Sequence, residues 1–245
     1  MSNETTEEGG ASPPSQPSCK VFVAVPAYPD GTVQWLCVMS LLRLKDAFNK
    51  AGIEHQIWVE RGFPWLSLAR DDLAYKFLQS DCTDLLFVDC DVGFHADGVL
   101  KMIARPEPVI CISYPKKGEH AGYAVDIDID EDSKIMVNDG VLFRANHIGL
   151  GCAKIKRHVF DMILEAHPEI EYDWGPEQQR YNFFPVQIRD RHPLPEDASF
   201  SEYWRELGGQ IWVLADVFTT HTGTKTWEGN FYDYLCGKEP DRYVL

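Results

Sequence analysis

Two aspartates one residue apart, in Asp89-Cys90-Asp91, follow directly on the apolar run Leu85-Leu86-Phe87-Val88. Side chains alternate along a strand, so the two carboxylates are expected on one face at the strand's end. Close ionised carboxylates repel and resist burial unless a cation or hydrogen-bond donors compensate, which makes the pair a candidate cation site. An acidic turn capping a loop in water is the plain alternative. A second acidic pair, Glu196-Asp197, could supply a general base or simply complement a helix dipole. A lone imidazole, His221, sits in the polar stretch Thr219-Thr220-His221-Thr222-Gly223-Thr224-Lys225, and its plain reading is a solvated loop histidine.

The elements that must carry these groups alternate. Strands are expected over 20–25, 55–59, 85–88 and 109–113, from short β-rich runs closed by Pro, Gly or acidic turns. A helix is expected from about Thr32, its N-cap, to Gly52, with Trp35, Val38, Met39, Leu42 and Phe48 at helical spacing. Helices over 67–79, with Leu68, Leu73, Phe77 and Leu78 inward, and over 97–104 complete a β-α-β-α-β-α-β order. That order predicts a parallel sheet with right-handed crossovers, whose ligands sit beyond the strands' carboxyl ends. Tyr28, Glu60, Asp89 and Asp91 would then share one crevice.

The second half changes character. Segments 122–128 and 134–138 flank an acidic turn and read as an antiparallel hairpin standing off the main sheet. Residues 148–155 read as one strand interrupted by Gly149 and Gly151, which mark close approach of backbone or ligand. After a helix over 157–166, residues 171–194 read as a long irregular segment with Trp174, Tyr181, Phe183 and Phe184, suited to lining an acceptor site. Ser199 followed by Glu202 matches a capping box, so a helix should begin there and end at Gly208. Glu196 and Asp197 would lie just ahead of it. A strand follows over 211–215.

Composition bounds the rest. The 245 residues, 44% hydrophobic, suffice for one large α/β domain. The formal charge is −15, and Glu4, Glu7 and Glu8 leave −12 for the body beyond residue 19. Such acidity disfavours broad contact with nucleic acid or anionic membrane. Seven scattered cysteines without a CxxC indicate neither zinc nor a disulfide framework. Residues 1–19 read as a disordered tail without a secretory signal, and no apolar run is long enough to span a bilayer, which points to a soluble, cytoplasmic protein.

In order along residues 20–228, Val21-Ala24-Pro26, Phe87-Val88-Asp89-Cys90-Asp91, Gly149-Leu150-Gly151-Cys152, Glu196-Asp197 with Phe200 and Gly208, and His221-Thr222-Gly223 form a set. The ordered set resembles the glycosyltransferases of the GT-A fold, the large inverting family with a DxD motif and a Glu-Asp pair. The resemblance implies a Rossmann-like three-layer α/β/α fold with a mostly parallel central sheet and a small antiparallel hairpin excursion. It implies a domain over 20–235, with a nucleotide-sugar half (20–115) and an acceptor half (116–235), before a tail over 236–245.

It also implies site roles. Asp91 would ligate Mn²⁺ or Mg²⁺, with Asp89 holding a metal-bound water or the ribose and His221 completing the metal site. Pro26, Ala27 and Tyr28 would meet the base of the nucleotide, Glu60 the base or ribose, and Arg70 the nucleotide or Asp91. Gly149, Gly151 and Lys225 would also belong to the donor site, Lys225 at the diphosphate. For Arg70, a surface salt bridge with its aspartate neighbours is the plain alternative. Asp197 is the implied base, with Glu196 as the fallback, and the reaction moves a sugar from a nucleotide-diphosphate donor, with UDP expected, to a hydroxyl of a glycan or other small acceptor. Pro195, where a small residue or Gly is usual, and Ser199, where an acid is usual, depart from the pattern. Two other readings remain: a nucleotidyltransferase, against which the absence of Lys and Arg in 26–31 argues, and a non-catalytic nucleotide-sugar or glycan binding module.

Overall fold

The computed structural model describes residues 19–118, 122–132, 134–175 and 178–238. The expected tails lie outside the described residues, apart from Cys19 and residues 236–238. The chain first alternates through β1 (Lys20–Pro26), α1 (Trp35–Ala51), β2 (Glu54–Glu60), α2 (Leu66–Gln79), β3 (Asp84–Val88), β4 (Val92–Phe94), α3 (Ala96–Ile103) and β5 (Val109–Cys111). It continues through β6 (Val125–Ile127), β7 (Val137–Asn138), β8 (Leu142–Ile148), β9 (Cys152–Lys156) and α4 (Arg157–Ala166). Two hairpins follow, β10 (Glu171–Gly175) with β11 (Gln178–Tyr181) and β12 (Gln187–Arg189) with β13 (His192–Leu194). The last elements are α5 (Glu196–Glu206), β14 (Ile211–Leu214), β15 (Phe218–Thr222), β16 (Thr226–Asn230) and α6 (Phe231–Leu235).

A nine-stranded sheet runs in the order β2-β1-β3-β9-β5-β14-β8-β6, with β7 beside β8. All its strands share one direction except β8 and β9. Alternate residues of β1 feed two cores: Val21, Val23 and Val25 pack with α1 and α3, while Phe22 and Ala24 pack with α2, α4 and α5. The result is the expected three-layer, mostly parallel α/β/α sandwich.

Several local expectations are corrected. The glycine-interrupted strand is two strands, β8 and β9, joined by Gly149-Leu150-Gly151, and β9 inserts antiparallel between β3 and β5. A strand buried on both faces has the same composition in either direction, so its polarity was not readable. Of the helically spaced apolar residues named on α1, Phe48 is buried and the other four face outward. Trp35 is 66% and Leu42 53% exposed, Val38 and Met39 are also exposed, and Leu36, Cys37, Ser40, Leu41, Leu44 and Phe48 are buried. Two apolar stripes compete on this helix, and the inner one is fixed by Ser40, whose Oγ accepts the Phe94 N–H at 2.9 Å. Thr32 does not cap it; the N-cap is Gln34, whose N–H donates to the Cys90 carbonyl.

The expected stand-off hairpin survives only as an Ile129–Ile135 bridge, because β6 and β7 both pair with β8 and extend the main sheet. The expected irregular segment is two hairpins, and Phe183 and Phe184 are fully buried core residues, edge-on to Phe160 and Phe87, with Phe184 stacked on Phe200. The capping box does not form. Helix α5 starts at Glu196, and Glu202 instead pairs with His147, Arg189 and Arg205. The stretch around His221 is no loop: β15 pairs with β4 and β16 in a small antiparallel sheet. All seven cysteines are free. Among the described residues no helix is long and apolar enough to cross a membrane.

Candidate functional site

The carboxyl ends of β1 and β3 open onto a cavity of ≈ 360 Å³. Pro26, Ala27 and Tyr28 enter it from β1, Asp89, Cys90 and Asp91 from the turn between β3 and β4, and His221 from β15. The β15–β4 register places His221 opposite Val92, beside the acidic turn. Thus side chains from distant parts of the chain meet in one crevice.

Asp91 is its centre. Tyr28 Oη donates to Asp91 Oδ2 at 2.8 Å, Lys117 Nζ donates to the same oxygen at 2.5 Å, and His221 Nε2 stands 3.4 Å from Oδ1. Burial acts to raise this carboxyl's pKa, but His221, Lys117 and Tyr28 outweigh it and hold the group well below the usual carboxylate range. His221 Nδ1 donates to the Pro115 carbonyl at 2.8 Å, which orients the ring so that Nε2 points at Asp91.

Asp89 faces the other way. Arg70, 1% exposed, donates from Nη2 to Asp89 Oδ1 at 2.8 Å and packs over the Phe87 ring. The reading of Arg70 as a surface salt-bridge residue is therefore corrected, and its partner is Asp89 rather than Asp91. Its Nε lies 3.5 Å from Glu196 Oε1 in the first turn of α5. Asp197, next along, accepts the Ala198 N–H at 2.8 Å, and burial together with Glu196 pushes its carboxyl up to about 6.

Arg70, Glu196 and Asp197 do not line the cavity but connect to it through Asp89, and four further expected residues sit elsewhere. Glu60 pairs with Lys76, although its carbonyl holds the Ala27 N–H at the cavity's edge. Gly149 and Gly151 lie under the cavity against Tyr114: a Cβ on Gly151 would stand 2.6 Å from that ring. Gly151 does serve the site indirectly, since its carbonyl accepts the Asp89 N–H at 3.0 Å. Lys225 stacks on Trp227, and the lysine that reaches Asp91 is Lys117. Lys117 was missed, yet it follows β5 at the same sheet edge as the aspartates, and that placement was the available signal. Phe63, also missed, lines the cavity and touches Trp174 of the β10–β11 hairpin, at 5.9 Å between ring centroids.

Among the described residues no three His, Cys, Asp or Glu side chains form a ready metal cluster. The donor set nonetheless fits a hard divalent cation: one ionised carboxylate and one imidazole nitrogen converge, leaving further positions for phosphate and water oxygens. Asp89 Oδ1 is engaged by Arg70.

This architecture, a three-layer α/β/α sandwich around a mostly parallel sheet, has counterparts among solved structures. A197 from STIV is similar over 84% of this chain and 86% of that one, with 20% identity and a TM-score of 0.50. A Drosophila β-1,4-galactosyltransferase 7 mutant, in complex with manganese, UDP-Gal and xylobiose, matches 93% of this chain and 76% of its own at 14% identity and a TM-score of 0.47. The inositol-1-phosphate CTP transferase from T. maritima matches 84% of this chain and 90% of its own, at 9% identity and a TM-score of 0.43. No family model and no curated protein sequence matches the chain.

Proposed function

We propose that the chain is a metal-dependent, inverting glycosyltransferase that moves a sugar from a UDP-sugar to a hydroxyl of a glycan or other small acceptor. The observation that carries this reading is the meeting of Asp91 and His221 at the cavity mouth, from opposite halves of the chain. Pro26, Ala27 and Tyr28 form the wall against which the nucleotide would lie. Mn²⁺ or Mg²⁺ held by Asp91 and His221 would supply Lewis-acid stabilisation of the departing nucleoside diphosphate. Asp89, held by Arg70, keeps the inner wall of the site charged and ordered.

Asp197 is the proposed base. Its carboxyl, raised to about 6, is poised to take a proton near neutral pH, while Glu196 is turned toward Arg70. The acceptor oxygen attacks the anomeric carbon and gives its proton to Asp197. The bond to the diphosphate oxygen breaks, and its electron pair leaves on that oxygen.

The test is to incubate the protein with Mn²⁺ and a panel of nucleotide sugars, following thermal stabilisation and slow donor hydrolysis. A bound donor raises the melting temperature by mass action. The reading fails if no nucleotide sugar binds, or if Asp91→Ala binds and hydrolyses donor as well as wild type does.

A further inference from the structure

Lys117 is the cation nearest Asp91, and the proposed function leaves it unassigned. Its ammonium lies 2.5 Å from Asp91 Oδ2, on the carboxylate proposed to hold the metal. The backbone on either side is pinned to the small sheet, the Pro115 carbonyl accepting from His221 Nδ1 and the Gly118 carbonyl from Trp227 Nε1 at 2.8 Å, while the Lys116 N–H donates to the Gly122 carbonyl. Only the four-carbon side chain, 32% exposed, is left to move. Its stem runs across Gly223, where a Cβ would stand 3.2 Å from Lys117 Cδ. The His221-Thr222-Gly223 stretch therefore does two things at once: the histidine faces Asp91, and the glycine leaves room for the lysine.

Resting on the reading above, we propose that Lys117 is a catalytic residue that exchanges partners: it sits on Asp91 when the site is empty and on the donor's diphosphate when the site is loaded. A carboxylate oxygen already bonded to an ammonium and a phenol is a poorer cation ligand until the ammonium leaves. A diphosphate brought against this wall offers the ammonium a partner of higher charge within reach of the same stem. As the bond from the anomeric carbon to the diphosphate oxygen breaks, the negative charge gathering on that oxygen meets the Lys117 ammonium, which donates a charge-assisted hydrogen bond. The acceptor's proton still goes to Asp197, so no additional reactant is needed.

This exchange makes two affinities move in opposite directions. Calorimetric titrations of wild type, Lys117→Met and Lys117→Arg would be run with MnCl₂ alone and, separately, with UDP in EDTA and with UDP plus MnCl₂, followed by turnover of whichever nucleotide sugar the panel selects. Lys117→Met is expected to bind Mn²⁺ alone several-fold more tightly, UDP roughly ten- to a hundredfold more weakly, and to lose kcat by a similar factor. Lys117→Arg, which keeps the charge, should hold UDP within a few-fold of wild type. Unchanged UDP affinity in Lys117→Met overturns the role, and so does weakening of Mn²⁺ and UDP together, the pattern of a merely structural lysine. Wild-type protein that binds no UDP even with MnCl₂ present overturns the proposed function as well, whereas wild-type turnover that Lys117→Met reproduces in full overturns this role alone.

Discussion

Arg70 Nη2 lies 2.8 Å from Asp89 Oδ1, with the guanidinium side chain 2% exposed and the carboxylate 17%. The same guanidinium reaches toward Glu196, so one buried cation joins the acidic end of β3 to the acidic start of α5.

Breaking that pair leaves a carboxylate uncompensated in a desolvated place. Arg70→Met is expected to cost about 3–5 kcal/mol of stability in urea denaturation, and Arg70→Met/Asp89→Asn to recover part of it because both charges are then gone. Arg70→Lys should recover little, since a single ammonium cannot span Asp89 and Glu196. Wild-type stability in Arg70→Met would remove the bridge from the account of the fold.

Asp197 should set the acid limb of activity. Its carboxyl, raised to about 6 chiefly by burial, must lose its proton before it can act, so kcat/KM should fall as pH drops through about 6. Asp197→Asn should keep UDP binding and lose roughly 10²–10⁴ in transfer rate. A full transfer rate in that variant would pass the role of base to Glu196.

Asp71 is a buried carboxyl outside the site, accepting the Phe184 N–H at 3.1 Å. Burial pushes it from 3.8 to about 8. Between those pH values the folded chain keeps a proton that the unfolded chain releases, so stability declines as pH rises through the window. Asp71→Asn retains an acceptor for Phe184 and removes the titration. It should match wild type near pH 4 and exceed it at pH 8 by on the order of a few kcal/mol, read from urea midpoints at the two pH values. Parallel pH profiles for the two proteins would contradict this.

Gly151 allows Tyr114 to approach where no side chain would fit. Gly151→Ala should cost about 1–3 kcal/mol through overpacking. Because the Gly151 carbonyl holds the Asp89 N–H, UDP affinity should fall with the melting temperature. A melting temperature equal to wild type would show that the ring moves aside freely.

What the sequence determined by itself is local. The apolar run of β3 ends at Asp89 because carboxylates terminate a strand buried on both faces, and the alternation of strands with helices carries the layered architecture and its ligand edge. The αL stop at Gly52, φ 68°, was equally legible, since only a glycine takes that conformation without strain. The tertiary structure decided what depends on partners remote in sequence. Helix α1 could bury either of two stripes until Ser40 met Phe94, and β9 could run either way until β3 and β5 closed on it. Asp89 and Asp91 were separated in the same manner, one drawn to Arg70 and the other to Tyr28, Lys117 and His221. Residue type states how strongly a charge must be compensated; only the folded chain determines which opposite charge is close enough to do it.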